Sequence, residues 1–185
     1  MADLKTYDLI DVSPMRDYIL NEGIKQSLRR GEKFIHIGEA AKKVAIVTEG
    51  YFAYTHPDYK GENQTISFAG KNDFLSTFIS MPGQRSFYDI KSLCSSQIKV
   101  VEYADLMDYI KAEMPENALC QLFQAIGVGV LSRGISCRCD SPETRYLELL
   151  QRMPDILLKV PLKEIASYLG VTREHFSRMR ARMLK

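Results

Sequence analysis

Pro161-Leu-Lys-Glu-Ile-Ala-Ser-Tyr-Leu-Gly170-Val-Thr-Arg-Glu-His-Phe-Ser-Arg178-Met-Arg-Ala-Arg-Met-Leu-Lys185 decides how the rest of the chain is read. Pro161 can open a short helix whose buried face is Leu162, Ile165, Ala166 and Leu169. Gly170 is placed to end that helix in the left-handed conformation, Val171 to plug the turn, and Thr172 to cap a second helix. Ala166 is small where two helices would cross closely. At about 100° per residue, Phe176, Met179 and Met183 fall on one narrow apolar face of the second helix. Arg173, Glu174, Ser177, Arg178 and Ala181 fall opposite it. The spacing predicts a helix-turn-helix.

The residue types on the polar face suit base edges. Arg forks onto guanine O6 and N7, Glu accepts from cytosine N4, and Ser meets base or phosphate. Arg180 and Arg182 lie towards the flanks, where phosphate contact is expected. Charge agrees with this reading. Residues 159–185 hold seven Lys and Arg against Glu164 and Glu174, a net +5, while the whole chain of 185 residues carries +2. A body of net −3 with a basic end fits a polyanion met by that end alone. A solvated basic helix has the same composition, so it is the coincidence of turn glycine, Thr cap and small crossing residue that favours DNA.

Upstream, Ser141 caps and Pro142 opens a helix to Met153. Before it, a longer helix from about 116 to 137 carries Leu119, Leu122, Phe123, Ile126, Val130 and Leu131 at helical spacing, widened by Ala118, Ala125 and Val128. That stripe exceeds what one packing partner covers, which favours a homodimer over a helix buried in one chain. Gly127 and Gly129 either admit a second backbone or mark a kink. Residues 24–103 read as short strands punctuated by Gly31, Gly38, Gly50, Gly61, Gly70 and Pro82-Gly83. The clearest strands are Phe34–Ile37, Val44–Thr48, Tyr51–Thr55, Thr65–Phe68, Tyr88–Leu93 and Ile98–Tyr103. Such spacing suggests a sandwich or barrel. A helix at 105–113 follows the strands, and one at 13–22 with Ser13 as cap precedes them.

Met1-Ala2-Asp3-Leu4-Lys5 does not read as a signal peptide, and no apolar run is expected to approach the ~18 residues of a membrane span. A cytoplasmic protein is expected. Cys94, Cys120, Cys137 and Cys139 are then free thiols, and the lone Cys-x-Cys pair is too few ligands for a usual metal site. No nucleophile–base pair or phosphate loop stands out, so no enzyme, metal or cofactor is expected.

An N-terminal helix, a glycine-punctuated β-roll, a long helix and a C-terminal helix-turn-helix resemble the Crp/Fnr regulators over nearly the whole chain. The most specific part is Gly170-Val-Thr-Arg-Glu-His-Phe-Ser-Arg178. The resemblance implies an α+β fold: a double-stranded β-helix (jelly-roll) sensor domain at 1–113, a dimerisation helix at 114–139, and a helix-turn-helix domain at 140–185. It implies a bacterial transcription regulator that dimerises, reads a pseudo-palindromic double-stranded DNA site, answers a small-molecule effector and meets RNA polymerase, without a membrane. Thr172, Arg173, Glu174, Ser177, Arg178, Arg180 and Arg182 would contact DNA, with Glu174, Ser177 and Arg178 reading a TGA-like half-site. The family's β-hairpin wing after the recognition helix is missing from this sequence.

The effector region departs from the cyclic-AMP members. Ser76-Thr77 stands where their Gly-Glu step holds the ribose, whereas Arg85-Ser86 matches their phosphate-holding pair. Val130 and Leu131 replace the base-facing hydroxyls. Arg85 then either binds another anion or pairs with a surface acid. The iron–sulfur members' N-terminal cysteines have no counterpart here, and neither His36 nor His56 brings a haem motif. A cupin-like β-roll protein or enzyme is the rival class, yet a cupin metal site needs about three histidines and a carboxylate on the barrel, where only His36 and His56 are available. Calorimetry is expected to find no sub-micromolar binding of cyclic AMP. Such binding, with a matching gain in DNA affinity, would reverse the reading of Ser76-Thr77.

Overall fold

A computed structural model describes residues 10–40, 42–77 and 85–183. The turn expected at Pro82-Gly83, the chain start and Lys185 lie outside the described residues. Helix α1 (Ser13–Glu22) leads into β1 (Ile24–Leu28), β2 (Lys33–Ile35), β3 (Lys43–Glu49) and β4 (Phe52–Pro57). Then come β5 (Asn63–Ala69), β6 (Phe74–Leu75), β7 (Asp89–Ser92) and β8 (Ser96–Glu102). Helices α2 (Tyr103–Glu113), α3 (Ala118–Cys139), α4 (Pro142–Arg152), α5 (Ile156–Lys159), α6 (Leu162–Leu169) and α7 (Arg173–Met183) complete the chain.

The strands form two four-stranded antiparallel sheets, ordered β1-β8-β3-β6 and β2-β7-β4-β5. Between them lies a core that includes Phe34, Ala45, Val47, Phe52, Leu75, Ile90 and Ile98. The first sheet's other face, with Val44 and Ile46, packs on α1, α2 and the start of α3 through Met15, Ile19, Leu106, Ile110 and Leu122. The second sheet's other face, with Tyr51, Ala53, Phe68 and Leu93 on it or at its strand ends, is covered by α4 to α7. This explains why β3 reads as an unbroken apolar run. Val44, Ala45, Ile46 and Val47 alternate between two buried faces, so no polar residue can interrupt them.

Each strand named from sequence is present, with ends shifted by one or two residues. Two further strands carried too little pattern. β1 is an edge strand with only Leu28 buried, and β6 has two residues. Ser13 does not cap α1, because the cap position is Val12, and the Asp11 carboxylate accepts from the Ser13 N–H at 2.8 Å. Ser141 does cap α4, accepting from the Thr144 N–H at 3.1 Å.

Helix α3 corrects the reading of its apolarity. Its 22 residues reach a mean hydropathy of 1.3 over their most apolar window, enough by length and composition to cross a bilayer. Gln, Ser and Gly break the runs, yet the average stays high because the remaining residues are strongly apolar. Only Ala118, Leu122, Ala125 and Gly129 of the helix are buried, while Phe123, Val128, Val130, Leu131 and Ile135 are exposed.

Gly50 makes the β3–β4 turn at a φ of +95°, and a Cβ there would stand 2.1 Å from Ser96 Oγ and 2.8 Å from Ser96 Cα. Left-handed backbone and a collision with a neighbouring strand combine at one position. Gly50→Ala is therefore expected to destabilise the fold by at least about 2 kcal/mol, read as a lowered denaturant midpoint at unchanged slope.

Candidate nucleic-acid interface

Helix α6 ends at Gly170, whose φ of 68° and ψ of 28° are left-handed, and its N–H bonds back to the Ser167 carbonyl. Val171, half-buried, packs against the core under the turn. Thr172 Oγ1 accepts from the His175 N–H at 3.2 Å, closing the first turn of α7. Phe176 and Met179 are fully buried, Phe176 edge-on to Tyr146 of α4 at 5.2 Å. They fix which side of α7 faces inward. Thr172, Arg173, Glu174, Ser177 and Arg178 are all exposed on the remaining surface.

Two expectations for α6 and α7 change. Met183 does not join the packed face: it is 36% exposed in the last turn. Leu162 of α6 is likewise exposed, and Glu164 takes a buried place beside Ile165 and Ala166 instead. The flank residues have partners within the chain. Arg180 lies with its guanidinium 5.7 Å from the Phe176 ring centre, and Arg182 pairs with Glu143 of α4 at 3.2 Å. The Arg182–Glu143 pair is solvent-exposed and contributes little, so it leaves the guanidinium available to a stronger anion.

Glu174 stands at the positive end of α7. Its own backbone N–H and the Thr172 hydroxyl, with Arg173 and Arg178 nearby, hold its carboxyl below the usual range. It is an acceptor at neutral pH. His175, Arg178 and Arg182 line a shallow depression of about 300 Å³ beside it.

Among the described residues, the six effector candidates differ in burial. Ser76, Thr77 and Ser86 are buried, whereas Val130 and Leu131 are 44% and 65% exposed on α3. Ser86 Oγ donates to the Tyr88 carbonyl at 2.6 Å, and Arg85 Nη1 donates to the Gly38 carbonyl at 2.8 Å. Tyr54 and Tyr88 meet edge-to-face at 5.1 Å, donating their hydroxyls to the carbonyls of Phe74 and Ser76. Burial pushes the Tyr88 phenol up to about 12. Among the described residues no three His, Cys, Asp or Glu side chains gather as a metal site. His36 and His56 are both exposed.

Residues 25–113 match the family model of the cyclic nucleotide-binding domain. Solved structures align with nearly the whole chain. FixK2 from Bradyrhizobium japonicum does so with a TM-score of 0.70 and 16% identity, over 87% of this chain and 84% of its own. A protein from Eubacterium rectale assigned to the Crp/Fnr transcriptional regulators gives 0.66 and 16%, over 96% and 88%. CLP, the c-di-GMP responsive global regulator of Xanthomonas campestris, gives 0.61 and 14%, over 92% and 90%. The chain has the Crp/Fnr fold. No curated protein matches it by sequence.

Within this Crp/Fnr fold, three polar side chains hold the α6–α7 unit in place and went unseen in the sequence. Glu164 accepts from Thr65 Oγ1 of β5 at 2.8 Å and from Lys91 Nζ of β7 at 3.1 Å. Ser167 Oγ accepts from the Thr65 N–H and donates to Gln64 Oε1, both at 2.9 Å. Arg145 of α4 donates to the carbonyl of Leu169, the last residue of α6, at 2.7 Å. Only their position in a helical pattern could have signalled them: Glu164 adjoins Ile165, and Arg145 adjoins Tyr146. Phe176→Ala is expected to cost about 3–5 kcal/mol of stability. Glu174→Ala and Arg178→Ala should stay within about 0.5 kcal/mol of the parent in the same denaturation assay.

Proposed function

We propose that this chain is a sequence-specific DNA-binding transcription regulator of the Crp/Fnr type. The observation that carries the reading is α7 itself. One side is anchored by Phe176 and Met179 after a left-handed turn, and the other exposes Arg173, Glu174, Ser177 and Arg178 with no competing cover. In this reading α6 and α7 are a helix-turn-helix. Glu174, Ser177 and Arg178 reach base edges in the major groove, and Thr172, Arg173, Arg180 and Arg182 hold phosphates. The segment 140–185 is then the DNA-binding domain, 114–139 the dimerisation helix and 1–113 the sensor.

The strand orders 1-8-3-6 and 2-7-4-5 support a jelly-roll sensor. The exposed apolar side of α3 supports a homodimer, because Leu131, Phe123, Val130 and Ile135 need cover that one chain does not provide. A two-fold dimer would present two copies of α7 to a pseudo-palindromic site. The effector is not cyclic AMP in this reading, and the regulator works in the bacterial cytoplasm with RNA polymerase as the machinery it influences. The regulators it resembles in fold favour a binding protein over an enzyme.

Selection from random double-stranded DNA is expected to yield an inverted repeat. On that site Arg178→Ala should cost about 1–3 kcal/mol and relax preference at one position per half-site. Arg182→Ala should weaken all sequences alike and flatten the salt dependence. An equal loss on every sequence for Arg178→Ala would show that it holds backbone only. Separately, Leu131→Glu should convert a micromolar dimer to monomer in sedimentation equilibrium. A parent protein already monomeric at that concentration would remove the dimer from this reading.

A further inference from the structure

The chain holds the two flank cations of α7 in different ways. The Arg180 guanidinium lies 5.7 Å from the Phe176 ring centre, against an uncharged group. Arg182 Nη2 instead donates to Glu143 Oε1 at 3.2 Å, so its charge is matched by a carboxylate of α4. Buried packing sets this meeting. Tyr146, one turn after Glu143, is edge-on to Phe176 at 5.2 Å, and α7 runs on from there to place Arg182 beside the start of α4. The fold does not call on Glu143 otherwise. Ser141 Oγ caps α4 by accepting from the Thr144 N–H at 3.1 Å, and among the described residues Arg182 is the one hydrogen-bond and ion-pair partner of the Glu143 carboxylate. With His175 and Arg178, Arg182 lines the depression of about 300 Å³ on α7. One of its two arginines is thus neutralised from within the chain.

We propose that Glu143 is a built-in stand-in for a DNA phosphate, holding Arg182 in the free protein and giving it up when the duplex arrives. The proposal rests on the reading of α7 as the DNA-reading helix. Carboxylate and phosphate both offer paired oxygens to the planar guanidinium fork, so the two anions compete for one side chain. The resident pair is a single contact between side chains 68% and 37% exposed, and water and salt screen it. It is therefore displaced easily.

DNA docking then swaps one anion for another on Arg182 instead of adding a new ion pair. The phosphate sheds its condensed counterion while the released Glu143 gathers cations from the salt, and the two partly cancel. Glu143 thereby weakens backbone contact on every sequence alike and flattens its salt dependence. Base edges met by Glu174, Ser177 and Arg178 are not involved, so preference among sequences is unchanged. What the carboxylate damps is the sequence-independent part of binding, the part that retains a regulator on the wrong DNA.

Glu143→Gln in the full-length protein removes the charge while keeping the side chain's length and the Ser141 cap. Its affinity for double-stranded DNA of mixed sequence is expected to rise about three- to tenfold at low salt, with the gain shrinking as salt is added. In an Arg182→Gln background the gain should vanish, and in an Arg180→Gln background it should remain in full. A fall in affinity on Glu143→Gln overturns the proposal, since the carboxylate would then be orienting Arg182 for its phosphate. An unchanged affinity overturns it as well. So does an equal gain with and without Arg182, because Glu143 would then act by repulsion at a distance. Heparin, a sulfated polyanion without bases, separates this proposal from the DNA reading on which it rests. On a heparin column Glu143→Gln should elute at higher salt than the parent only where Arg182 is present. A parent protein that binds no DNA yet gives that shift upholds the exchange and removes the DNA reading. DNA binding without coupling between Glu143 and Arg182 removes the exchange alone.

Discussion

Tyr51, Ala53, Phe68 and Leu93 turn away from the inter-sheet core, and α4 to α7 bury them beneath Tyr146, Leu149, Met153, Ile156, Ile165 and Leu169. This second core governs the rest of the helical end. α7 alone buries just Phe176 and Met179, too little to hold an eleven-residue helix in one orientation. It is held because α6 is held, and α6 is held because the outer face of the β4–β5 pair must be covered. The polar contacts sharpen this. Glu164 reaches a sheet surface where its two oxygens meet Thr65 and Lys91, so the buried carboxylate is compensated. A shift of one residue in how α6 sits would strand that charge, which costs several kcal/mol.

The same packing makes the proposed sensor and the proposed reader mechanically continuous. β5 touches α6 through Gln64 and Thr65, and it pairs with β4. β4 carries Tyr54, which bonds the segment at Phe74 just before Ser76-Thr77. Tyr51, directly ahead of β4, donates to Asp155 beside α5. Any change in the β-roll that moves β4 or β5 is felt by the helix that positions α7, without a separate linker. Two elements that share one core have few independent arrangements, and that suits a two-state response.

The two sides of the molecule differ in how completely they are finished. The β2-β7-β4-β5 side is sealed by four helices of the same chain. On the opposite side α3 begins in contact with the first sheet, at Ala118 and Leu122, and then runs on with Phe123, Val130, Leu131 and Ile135 uncovered. Apolar surface of that extent is what the proposed dimer would cover. In the proposed symmetric pair the shared contact on α3 would lie away from the surface left free on α7.

Much of this was decided by local physics that a sequence displays. A left-handed residue after an apolar helix can hardly be other than Gly170, and Thr172 follows at the cap. The 3.6-residue spacing of Phe176 and Met179 then determined which residues of α7 would be outside. Alternating apolar runs likewise marked six of the strands. Tertiary structure decided the matters that depend on what lies across from a residue. Met183 and Leu162 match the apolar period yet face solvent, because no element is opposite them. Glu164 and Arg145 look like surface charges and are buried, because their partners Thr65, Lys91 and Leu169 lie 24 to 99 residues away along the chain. The cover of the second sheet and the ties that seat α6 belong to that class. Periodicity reports a preference for burial, and only the folded chain supplies the neighbour that grants or denies it.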